Sequence, residues 1–127
     1  MQIDTHREID QSLCGRPLSV EGGNSLVELE TTDRMAADGK GLVHGGFIFG
    51  AADYAAMIAV NHPNVVLGAS DVKFLKPVRV GETVLARAQV QEIKGNKYWV
   101  SVSVSKNDTE VFQGMFTCFA LDKHVLD

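Results

Sequence analysis

Cysteine is scarce in this chain: Cys14 and Cys118 are the only two in 127 residues. Two cysteines make no disulfide framework, and a reduced, cytoplasmic setting is the expectation. The opening residues, "MQIDTHREIDQ", are polar and acidic, so no signal peptide is expected. No apolar run is long enough to span a bilayer; the longest, over residues 47–60, is also interrupted. Basic charge is in short supply too. The net charge of -4 argues against a nucleic-acid partner, whose protein face is usually basic. No block of like charge suggests a tail or a polybasic membrane patch. The histidines show no metal-ligand spacing, and neither a phosphate loop nor a nucleophile elbow occurs. No metal or cofactor is expected. Internal repeats, low-complexity tracts and linkers are absent as well. What remains is one domain, residues 1–127, 45% hydrophobic and 22% charged.

Hydrophobic spacing then orders the elements. Residues 4–14 place Ile9 and Leu13 four apart among charged residues, which predicts a short amphipathic helix. "CGRP" and "EGGN" read as punctuation. "SLVELETT" (25–32) alternates, with Val27 and Leu29 on one face and Glu28 and Glu30 on the other, as in a half-buried strand. Residues 33–43 read as a loop. Residues 47–60 predict a helix of roughly 21 Å, started at Gly45 and Gly46 and stopped by Pro63. It is apolar nearly all round and should be buried. Six of its residues are Gly or Ala, which lets another element approach closely. Strands follow at 64–77, 83–93, 98–105 and 110–121. The last three, joined by short turns, should form an antiparallel meander with the helix across its concave face.

One residue does not fit that helix. Asp53 is a carboxylate inside an apolar run, where an unpaired charge is costly. It is either a structural acid satisfied by neighbours or a functional one. His44 can bind substrate, cap the helix or bond to the loop. Gly45 and Gly46 either serve close packing or leave the first helical N–H groups open to a ligand.

The order of strand, long buried helix and four strands, with "HGGFIFGAADYAA" opening the helix, resembles the hotdog-fold acyl-CoA thioesterases. It is most similar to the branch that includes the phenylacetate-pathway enzymes. "SDVKFLKPVRVGE" (70–82) supports the match. The resemblance runs from about residue 25 to 121, and the first 20 residues add nothing to it. It implies an α+β fold, an antiparallel sheet wrapped around one long central helix. It also implies a homodimer with sites at the subunit interface, in some members paired into a homotetramer.

For the chemistry, the resemblance implies hydrolysis of an acyl-CoA or acyl-carrier thioester. Gly45, with Gly46, would hold the thioester carbonyl, and Asp53 would act as general base or as nucleophile. Asp53 lies seven or eight residues past the glycines, roughly 10–12 Å along one helix. One carbonyl cannot touch both, so a facing helix from a second subunit would complete the site. Asp38 stands six residues before His44, where many relatives carry an Asn that positions the carbonyl. An ionised Asp cannot donate a hydrogen bond, so its role is lost, it is protonated, or it is a second acid. Ser70 corresponds to a region where relatives orient the attacking water; it and Asp71 also read as plain strand residues. Lys73 and Lys76, with Arg79, can meet CoA phosphates or form a solvated strand edge. Phe47, Phe49, Tyr54 and Met57 can line an acyl pocket or belong to the core. The other readings are a non-catalytic acyl-CoA-binding module, as in ligand-sensing repressors of lipid synthesis, and an acyl-thioester dehydratase or hydratase. Neither a helix-turn-helix nor a His–acid pair is apparent in the sequence.

Overall fold

The structure, a computed structural model, describes all 127 residues. In chain order it contains α1 (Gln11–Cys14), β1 (Arg16–Glu21), β2 (Asn24–Glu30), a 3-10 turn (Asp33–Met35), α2 (Gly45–Val60), β3 (Val65–Phe74), β4 (Thr83–Lys94), β5 (Lys97–Lys106) and β6 (Thr109–Ala120). All ladders are antiparallel, and the strand order is β1-β2-β4-β5-β6-β3. The sheet curls around α2 in the hotdog arrangement.

Alternation decides which face of each strand meets α2. Val27 and Leu29 of β2, Val84, Ala86 and Ala88 of β4, and Val100, Val102 and Val104 of β5 are buried, as their spacing predicts. Phe112, Phe116 and Cys118 continue that face on β6. Each large side chain so buried contributes about 1.5–3 kcal/mol. Nine of the α2 residues are buried, five of them alanines, so the sheet lies close against the helix. Ser25 is the polar exception on the inner face. Its hydroxyl donates to the Ala55 carbonyl at 2.6 Å. No helix is long and apolar enough to cross a membrane.

Four features differ from the sequence expectation. The sheet has six strands, not five, because "RPLSVE" is a strand. It pairs with β2 through a two-residue turn at Gly22 and Gly23, both at positive φ, which suits a tight hairpin. Pro17 is tolerated because β1 is an edge strand. Residues 4–14 are helical only over Gln11–Cys14, where Asp10 accepts from the Ser12 N–H and Gly15 at φ 103 ends the turn. The residues before it are irregular, with a turn at Arg7 and Glu8, and bond to Asn61 at the end of α2 instead. The central helix begins two residues early, at Gly45. The loop over 33–43 carries the 3-10 turn and two isolated bridges, Ala36 to Val43 and Leu42 to Arg79.

Strand β3 is the second edge, and it carries a bulge between Leu67 and Ala69. Val65 and Leu67 pair with inward-facing Ala120 and Cys118. Beyond the bulge Ser70, Val72 and Phe74 pair with Phe116, Gly114 and Phe112. Gly114 permits this pairing. A Cβ there would lie 2.5 Å from Val72 Cγ1 and 2.8 Å from the Asp71 carbonyl oxygen. Gly114→Ala is expected to push β3 off β6 and lower stability by about 1–3 kcal/mol. An unchanged midpoint in urea unfolding would contradict that packing.

Candidate active site

The chain enters α2 along a fixed path. The Val43 N–H donates to the Val78 carbonyl at 2.9 Å and the His44 N–H to the Met35 carbonyl at 2.8 Å. Asp38 helps shape the approach. Its Oδ1 accepts from the Lys40 and Leu42 backbone N–H groups at 2.9 and 3.2 Å. The exposed carboxylate is thus engaged as an acceptor within its own loop.

His44 occupies the N-cap position in extended conformation, but its side chain makes no capping bond. The ring is exposed, folds over Gly46 and meets Phe47 edge-on at 6.1 Å. The Phe47 N–H donates to the His44 carbonyl, whereas the N–H groups of Gly45 and Gly46 donate to no group of the chain. These are two of the unpartnered donors that every helix start presents, and the helix dipole favours negative charge beside them. At both positions a side chain would press on a neighbouring ring. A Cβ on Gly45 would sit 3.1 Å from Phe74 Cε2, and one on Gly46 would sit 2.8 Å from His44 Nε2.

Beside Gly45 lies a cleft of about 260 Å³, lined by Leu42, Ile48, Phe74, Leu75, Lys76 and Val111 among others. Leu42, Phe74 and Leu75 are all exposed there. Phe74 had no part in the sequence reading. Its signal is its place two residues before Lys76, on the strand that returns past the helix start.

Lys73 is separated from this cleft. It lines a groove of about 460 Å³ on the outer face of the sheet, with Asp71, Arg87 and Glu110 among others. The strand ends at Phe74, and the chain leaves the sheet where the Leu75 N–H donates to the Val111 carbonyl. The basic patch expected from sequence is therefore divided between two surfaces. The outer groove is larger, but it has the wrong face for chemistry at α2. Ser70 lies on the helix side of β3, opposite Phe116, and Asp71 on the outer side.

Asp53 sits two turns further along α2. It is mostly buried, and its Oδ1 is sealed from solvent without a hydrogen-bond partner. Burial pushes its pKa up from 3.8 to about 6. Two thiols lie within reach of its charge. Burial, then the charges of Asp10 and Asp53, raises Cys14. Burial, then Asp53, pushes Cys118 up to about 12. On the same helix, Phe49 packs on Phe116 at 5.4 Å and edge-on to Phe112 at 6.4 Å. Tyr54 and Met57 are buried, and Phe47 is partly buried against the core. An acid with a pKa near 6 is ionised at neutral pH yet basic enough to take a proton from water.

Residues 40–113 match the thioesterase superfamily. The chain is 54% identical over 123 residues to methylthioribose-1-phosphate isomerase of Aquifex aeolicus (strain VF5), an overlap of 96% of this chain and 27% of that protein. It is 32% identical over 115 residues to transcription factor FapR of Thermoanaerobacter sp. (strain X514), covering 90% of this chain and 58% of that one. It thus spans about a quarter of the first relative and little more than half of the second. An uncharacterized protein from Pyrococcus horikoshii superposes with a TM-score of 0.98 at 50% identity, over 100% of this chain and 98% of the other. That match includes the first 20 residues, which the motif resemblance had left aside. A point mutant of the phenylacetic acid degradation protein PaaI from Thermus thermophilus superposes with a TM-score of 0.80 at 26% identity, over 87% and 96% of the two chains. With its motif at the start of α2 and its six-stranded sheet around that helix, the chain belongs to the thioesterase superfamily, in the PaaI-like branch of the hotdog fold.

Proposed function

We propose that this domain hydrolyses an acyl-CoA or acyl-carrier thioester, and that Asp53 is its general base. The observation that carries the reading is the sealed, unpartnered Asp53 oxygen with its pKa raised to about 6. A structural acid would be expected to have a donor beside it. The Gly45 N–H, with that of Gly46, donates to the thioester carbonyl oxygen, and Lys76, which lines the adjoining cleft, would meet a phosphate. Asp53 takes a proton from water as the water oxygen bonds to the carbonyl carbon. The oxyanion then collapses, the carbon–sulfur bond breaks, and the proton on Asp53 passes to the departing thiolate. The products are a free acid and a thiol.

Both groups cannot serve one carbonyl from one helix. Gly45 and Asp53 are eight residues apart, roughly 12 Å along the axis. The reading therefore requires a second copy, with Asp53 of one subunit meeting Gly45 of the other. A homodimer, or a dimer of dimers, is expected by light scattering at micromolar concentration. A monomer that hydrolyses thioesters would overturn the composite site.

The second reading is an acyl-thioester-binding module without turnover, supported by the similarity to the FapR transcription factors. Incubation with a panel of acyl-CoAs and a thiol reagent separates the two. Release of free CoA supports hydrolysis, and tight binding without release supports the module. The same panel, run over chain lengths and aryl groups, identifies the acyl group.

A further inference from the structure

The first 14 residues do more than lead into the sheet. They run along α2 from its C-terminal end towards Asp53. Asn61 caps the helix at φ 55, and its side chain grips this segment twice. Its Oδ1 accepts from the Asp4 N–H at 2.8 Å, and its Nδ2 donates to the Gln2 carbonyl at 2.9 Å. Thr5 is buried, with its hydroxyl 2.8 Å from His6 Nδ1, and the His6 ring lies 6.5 Å from Tyr54. Ile3, Ile9, Leu13 and Cys14 pack against the core, and α1 closes on α2 with Cys14 within reach of the Asp53 charge. The bonds to Asn61 fall at residues 2 and 4, whereas Cys14, the residue within reach of the carboxylate, is at the other end of the segment.

We propose that this segment is a positioning strap for Asp53, fastened at Asn61 and Tyr54, whose α1 turn walls water away from the carboxylate. The proposal rests on the reading of Asp53 as the base. The titratable groups facing Asp53 are few. Cys14 comes from α1 and Cys118 from β6. Apart from Ser25, the inner positions of β2, β4 and β5 are apolar, among them Val27, Leu29, Val84, Ala86, Val100 and Val102, and β3 presents Ser70, Val72 and Phe74. No cation faces the acid, so exclusion of water is what sets its proton affinity. Within one subunit, the strap adds to that enclosure a wall that the sheet does not provide.

Two substitutions loosen the strap without straining the backbone. His6 and Asn61 both have positive φ, so glycine keeps the local conformation and removes only the side chain. The test uses Asn61→Gly and the double variant His6→Gly/Asn61→Gly. Titration of the Asp53 carboxyl by carbon-13 NMR needs no turnover. Its midpoint is expected to fall from about 6 by about one pH unit. Maleimide labelling of Cys14 should quicken by about tenfold, and Cys118 stays silent because it is fully buried. The acid limb of kcat/KM should move to lower pH with the carboxyl. A lowered melting temperature with an unmoved Asp53 midpoint in the double variant would make the strap merely structural and overturn the proposal. A moved midpoint in a protein that hydrolyses no thioester would instead overturn the hydrolase reading alone.

Discussion

Asp53→Asn is expected to yield a folded protein whose thioester turnover is lower by at least about a hundredfold. The amide keeps the size and shape of the side chain but removes the basic oxygen. Stability should move the other way. The Asp53 pKa rises from 3.8 to about 6 on folding, because burial disfavours the charged form. The folded state therefore holds this proton more tightly than the unfolded chain. The benefit is complete below pH 3.8 and is lost as the pH climbs to about 6. Above that, the ionised carboxylate costs up to about 3 kcal/mol. Asp53→Asn should be more stable than the parent at pH 7 to 8, with the difference closing below pH 4. For the parent, kcat/KM should rise with pH through about 6. Turnover and urea unfolding measured on one preparation test both arms. A variant that stays active and loses stability would establish Asp53 as a structural acid.

Gly45→Val should lower turnover on a similar scale, since losing one oxyanion donor typically costs a hundredfold or more. Valine keeps the N–H but places methyl groups over the approach to it. Its Cβ would lie 3.1 Å from the Phe74 ring. That ring is 56% exposed and can swing aside, so the fold should survive. Circular dichroism and light scattering should match the parent, while the panel of acyl-CoAs shows the loss. Full activity in this variant would remove Gly45 from the oxyanion role.

Parts of this arrangement were legible in the sequence because they rest on local periodicity. The valines of β5 alternate with serines, and Val100, Val102 and Val104 are inward as that period requires. The apolar run after His44 could only be a buried helix, and Asp53 stood out within it. Features set by distant partners were not legible. β1 was hidden because its proline and flanking glycines read as breaks, and only its edge position and its pairing with β2 make it a strand. Residues 4–14 carry an amphipathic spacing, yet the backbone at Gln2 and Asp4 is held by Asn61, more than fifty residues away. Asn61 itself left a signal, an asparagine directly after the last helical residue, which favours a left-handed cap. Lys73 and Lys76 are neighbours in sequence, but the end of β3 between them sends them to different surfaces.

The bulge beside Gly68 acts as a change of phase in β3. Before it, odd-numbered residues face the helix; after it, even-numbered ones do. A strand keeps strict parity, so shifting by one residue exchanges its two faces. Without this interruption Asp71 and Lys73 would be aimed at α2, and Val72 and Phe74 would be turned outward. The extra residue therefore works as a sorting device. It lets a single strand serve the core near Val65 and still deliver Phe74 to the wall beside Gly45. Drawing Gly68 into the ladder would be a frame error, because it would write the solvent face of the strand onto the helix, whereas deleting it would leave both faces as they are.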